Sequence, residues 1–154
     1  MKKRIIILTC ILLPILIFVV YYYSFDYYAF KDYELKIPRS INKNAIIYHD
    51  GIDITAFQIM KYENEVIQEI IKQGFKKIDI EEMNEIYEKA ITGDLFKYLN
   101  EDEKQDFINN FDKEKLFNPD NYYLFCEDTE EPVYEFVLFI IDTKTNKLYY
   151  IISA

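Results

Sequence analysis

His49 is the only histidine of the chain, and it stands beside Asp50, Gly51 and Asp53. A side chain whose unperturbed pKa is about 6.5 can act as a general base when a carboxylate orients it. The same two carboxylates can offer oxygens to a hard cation such as calcium, and Asn118, Asp120 and Asn121 offer more in a later turn. Neither stretch has the regular acidic spacing of an EF-hand loop. A catalytic zinc centre commonly takes three protein ligands, often two of them histidine. One histidine and the distant Cys126 cannot supply them. The simpler reading is a tight Asp50-Gly51 hairpin turn with His49 flanking it at the surface. That reading is favoured, because the chain has no Gly-x-Ser-x-Gly elbow, no phosphate loop and no dinucleotide fingerprint. No cofactor is expected, and no residue is assigned a catalytic role beyond the candidates His49, Asp50 and Asp53.

A second cluster is purely acidic. Glu127, Asp128, Glu130 and Glu131 crowd one short stretch between two apolar segments. Such a stretch makes an exposed negative tip and a candidate contact for a basic partner. The acids at 81–82 and 101–103 read instead as solvated helix faces. Cys126 reads as a small apolar strand residue rather than a reactive thiol.

The elements that must position these residues follow from periodicity. Residues 45–62 are β-like: Ile46 and Tyr48 precede the Asp50-Gly51 turn, then Ile52, Ile54 and Ala56 alternate with Asp53 and Thr55. A helix over 65–73 is predicted, capped by Asn64, with Val66, Ile67, Ile70 and Ile71 on one face and Gly74 as its left-handed stop. Asp79 and Glu82 have the spacing of a capping box for a second helix. Met83, Ile86, Tyr87, Ala90 and Ile91 recur along it at helical spacing, and Gly93 is expected to end it. Two short helices over 94–99 and 101–111 follow, with Phe107, Ile108 and Phe111 expected in the core. The turn signal at 118–121 then introduces strands. Residues 134–141 are apolar at both parities, which predicts a central strand covered on both faces. Asn146 is the expected positive-φ residue of a hairpin whose return strand ends near Ser153. The predicted class is α+β, with helices packed on an antiparallel sheet that ends in a C-terminal β-hairpin.

The N-terminus sets the expected location. Lys2, Lys3 and Arg4 precede an uncharged apolar-to-aromatic run over residues 5–23. At about 1.5 Å per helical residue, that run reaches the roughly 30 Å hydrocarbon thickness of a bilayer. It predicts a single-pass transmembrane anchor that includes Ile5, Leu13, Pro14, Phe18 and Tyr23. The basic flank keeps the N-terminus cytoplasmic and sends the rest of the chain outward. A cleaved signal peptide is disfavoured because bulky tyrosines and Phe25 stand where small residues should follow. A lipidated Cys10 is disfavoured because too short an apolar region precedes it. The expected organisation is therefore a basic start and anchor at 1–23, a stalk at 24–40 and one extracytoplasmic domain at 41–154. With only three glycines and four prolines in the chain, no long flexible linker divides that domain.

All 27 acidic residues follow the apolar run, so the domain is more acidic than the net charge of −9 for the whole chain. That excludes a nucleic-acid partner, whose phosphates need a basic surface. It also opposes adsorption of the domain to anionic lipid.

Taken in order, these segments resemble a family of small, uncharacterised envelope proteins and lipoproteins of low-GC Gram-positive bacteria. The matching parts are Ile37-Pro38-Arg39-Ser40-Ile41, the turn over 48–53, the strand over 120–125 and the hairpin over 136–151 with its Asp142-Thr143-Lys144-Thr145 loop. The departures are the absence of glycines before His49, Phe75 in place of a tryptophan, and no recognisable lipidation cysteine. The resemblance implies an envelope compartment and this fold, and no mechanism. Three readings of function remain, in this order. The first is a non-enzymatic binding or accessory domain with an envelope partner. The second is an immunity or inhibitor protein against a basic toxin or hydrolase. The third is a hydrolase or cation-binding protein centred on His49.

Overall fold

A computed structural model of the protein describes residues 13–17, 34–38, 40, 42–50, 53–128 and 135–153. At 42, 43, 45, 47–50, 53 and 54 it describes the backbone alone. The chain divides into two units, Met1–Ile37 and Pro38–Ala154. In the first, residues 13–17 are helical, and Leu13, Ile15, Leu16 and Ile17 are exposed. Among the described residues no helix is long and apolar enough to cross a membrane. Leu13 and Pro14 fall in the helical stretch, while Ile5, Phe18 and Tyr23 lie outside the described residues.

The second unit is α+β, as the periodicity predicts. Its strands are β1 (Asn42–Asp50), β2 (Asp53–Lys61), β3 (Lys76–Lys77), β4 (Tyr122–Asp128), β5 (Glu135–Asp142) and β6 (Lys147–Ser153). They form one sheet in the order β1-β2-β6-β5-β4-β3, antiparallel at every pairing. The helices are α1 (Asn64–Ile71), α2 (Ile80–Ile86), α3 (Phe96–Tyr98), α4 (Glu101–Asn110) and α5 (Lys113–Leu116). A π-helical stretch, Tyr87–Leu95, joins α2 to α3.

Strand β5 is central, and residues 136–141 are buried on both faces, which is what their unbroken apolar sequence requires. On one face Phe136, Leu138 and Ile140 join Phe57, Tyr149, Ile151 and Tyr123 in a core with the helical residues Met83, Ile91, Leu95, Phe107 and Leu116. On the other face Phe139 stacks on Tyr150 at 5.0 Å between ring centroids and meets Phe75 edge-on at 6.1 Å. Each fully buried side chain of this size contributes about 1.5–3 kcal/mol. The doubly buried strand thus contributes strongly to the cohesion of the sheet.

The helix ends show which local signals operate. Gly74 has φ +103, the left-handed stop expected after α1. Asp79 accepts hydrogen bonds from the Glu81 and Glu82 N–H groups at 2.9 and 3.2 Å. Asn64 is not a cap: it is the first helical residue of α1, and Glu63 occupies the cap position. A reciprocal capping box forms instead at Asn100 and Glu103, which opens α4. Gly93 does not end its helix. The backbone runs through it in the π-helical form as far as Leu95 and then continues as α3. A Cβ at Gly93 would lie 2.8 Å from the Glu88 carbonyl oxygen, so the wide turn needs the missing side chain. Ile108 is 48% exposed, whereas Phe107 and Phe111 are buried. One residue is about 100° of helix, and that rotation carries Ile108 off the apolar face.

The C-terminal hairpin agrees with its sequence. Asn146 has φ +53. The Asp142 carboxylate accepts from the Lys144 and Thr145 N–H groups at 3.1 and 3.2 Å and from the Thr145 hydroxyl at 2.6 Å. This closes the turn locally, as aspartate side chains commonly do.

Candidate functional site

The sheet register brings the two chemical clusters of the sequence to one end of the fold. Asp50 pairs with Asp53 at the close of β1 and β2. Two residues along β2, Thr55 pairs with Ser153 at the end of β6. Ser153 pairs on its other side with Phe136 near the start of β5. Glu135 pairs with Asp128 at the end of β4. The strand ends that carry His49, Asp50 and Asp53 and the Glu127–Asp128 end of β4 therefore share this end, with β6 and β5 between them. Adjacent strands are about 4.8 Å apart, so the three steps from β2 to β4 cover roughly 14 Å. That span suits a contact surface for an extended or helical partner. It exceeds the reach of residues acting on one substrate atom, which must be within about 3.5 Å of it.

Not every candidate side chain is described. Those of His49, Asp50 and Asp53 are not, and Glu130 and Glu131 lie outside the described residues. Asp128 and Glu135 are exposed. Glu127 forms an ion pair with Lys89 on the π-helical stretch, which ties the end of β4 to the helical layer. Both partners are solvated enough that the pair contributes little to stability, about 0–1 kcal/mol. Among the described residues no group of three His, Cys, Asp or Glu side chains is placed to hold a metal ion. Cys126, two residues before Asp128, is half-buried, and burial pushes its thiol pKa up. A raised pKa lowers the thiolate fraction and so the nucleophilicity of the group.

In the second set of oxygens, those of Asn118 and Asn121 are engaged in holding the fold, while the Asp120 side chain is exposed. Asn118 Oδ1 accepts from the Asp120 N–H at 2.9 Å, and Asn121 Oδ1 accepts from the Thr143 N–H at 3.1 Å. The Asn121 side-chain amide donates to the Leu116 carbonyl at 3.1 Å, and the Asn121 backbone carbonyl accepts from the Ile78 N–H at 3.0 Å. Buried Asn121 thus joins α5, the strand approach at Ile78 and the β5–β6 hairpin. Its polar atoms are partnered within the protein, as burial demands.

Two charged positions inside the fold have no counterpart among the sequence candidates. Asp142 is 2% exposed at its side chain and pairs with Lys115 at 2.8 Å. Burial by itself would raise its pKa, but hydrogen bonds from Lys115 and Thr145 outweigh that and hold the carboxyl below its ordinary value. The same bond, ahead of the opposing burial, raises the pKa of Lys115. Asp94, in the π-helical stretch, is buried, and burial raises its pKa against the lowering influence of Lys97 at 3.7 Å. The only sequence signal for Asp142 was its place before Thr-x-Thr in a turn. Asp94 had none, because its burial depends on the wide helical turn.

No family model, no curated protein and no solved structure matches this chain.

Proposed function

We propose that this protein is a non-enzymatic binding or accessory domain of the cell envelope, held to the membrane by its N-terminal apolar run. In this reading the acidic end of the sheet is its docking surface for a basic protein partner. The observation that carries the proposal is the register that sets the β1–β2 turn and the Glu127–Asp128 end of β4 at one end of the sheet. In this reading two acidic features far apart in sequence contribute to one contact surface. Opposite charge across such a surface speeds encounter and selects partners by sign. The apolar run over 5–23, its basic flank and the resemblance to small envelope proteins support the location.

The location is tested by protease shaving of intact protoplasts that carry the full-length chain. Loss of the 24–154 portion with the N-terminal segment retained in the membrane is the expected result. Full protection would place the domain in the cytoplasm and overturn the envelope reading. The docking surface is tested by crosslinking in the membrane with the wild type and with a variant carrying Asp128→Lys, Glu130→Lys and Glu131→Lys. Loss of a crosslinked basic partner from the variant, with unchanged folding, supports the surface. An identical set of crosslinks in both removes it.

A second reading, an immunity protein against a basic toxin or hydrolase, uses the same surface. Deleting the gene and finding unchanged sensitivity to cationic envelope toxins and hydrolases removes that reading and leaves the accessory one standing.

A further inference from the structure

No further inference is drawn: the strongest candidate, the outer edge of the nine-residue strand β1, which no strand pairs among the described residues, carries nothing because nothing in the structure shows what covers it.

Discussion

Lys115 Nζ lies 2.8 Å from Asp142 Oδ2, and this contact fastens α5 to the end of the central strand. The same carboxylate closes the hairpin through Lys144 and Thr145. Asp142→Ala removes both functions, and a loss of about 2–4 kcal/mol is expected in urea unfolding. Asp142→Asn keeps Oδ1 as acceptor for the two turn N–H groups and loses the charge opposite Lys115 together with the Oδ2 acceptor of the Thr145 hydroxyl, so a smaller loss of about 1–2 kcal/mol is expected. The folded pKa of Asp142 lies below its unfolded value. Its stabilisation is therefore present above about pH 4 and disappears as pH falls through the folded pKa. Wild-type stability should fall through that acid window more steeply than that of Asp142→Asn. Parallel curves for the two proteins would show that the pair contributes nothing to acid sensitivity.

Asp94 carries the opposite sign. Its folded pKa is raised, with burial as the main cause. Between the unfolded and folded pKa values the native state binds more protons, so stability declines as pH rises through that interval. A neutral side chain of the same shape escapes this cost. Asp94→Asn is expected to be more stable than the wild type at pH 7, with the gain vanishing in acid. Urea midpoints at pH 7 and at pH 3.5 decide it. A less stable variant at pH 7 would mean that the interaction with Lys97 outweighs the desolvation of the carboxylate.

The contrast between these two aspartates shows what the sequence can reveal. Local rules place Asp142, because a turn before a return strand needs a side-chain acceptor, and they also locate Gly74, Asp79, Asn146 and the doubly buried β5. The Asp94 environment is tertiary. It depends on a helix that widens rather than stops at Gly93, and glycine signals both outcomes alike. The candidate site divides in the same way. Its acidic residues are visible in the sequence, but their shared end of the sheet is not. It follows from a strand order in which β6 inserts between β2 and β5, and no local period encodes that. The sequence shows Asn121 only as a source of oxygens, whereas its bonds to Leu116, Ile78 and Thr143 come from segments that meet only in the fold.

Gly93→Ala tests the π-helical stretch. In an ordinary exposed helix the change would favour folding by about 1 kcal/mol. Here the new methyl would meet the Glu88 carbonyl oxygen at 2.8 Å, and a backbone atom cannot swing aside as a side chain can. The clash should outweigh the propensity gain, and a net loss of about 1–2 kcal/mol is expected. Chemical-shift changes should spread through Tyr87–Leu95, the stretch that must readjust. A stabilised variant with shifts confined to its immediate neighbours would show that the wide turn is not required by packing.

Phe107 and Ile108 are neighbours in α4 with opposite surroundings. Phe107 is fully buried, and its ring lies 5.1 Å from that of Phe57, 5.2 Å from that of Phe111 and 5.6 Å from that of Phe96. Removing it withdraws the ring that links β2 to α3 and α4, and leaves a cavity in close-packed surroundings. Phe107→Ala should cost about 3–5 kcal/mol. Ile108 is about half exposed, and alanine has the higher helix propensity. Ile108→Ala should therefore change stability by less than about 0.5 kcal/mol in either direction. Thermal unfolding of both single variants settles the orientation of α4 against the sheet. Comparable losses in the two proteins would mean that the helix presents a wider apolar face to the core than the burial of Phe107 and Phe111 indicates.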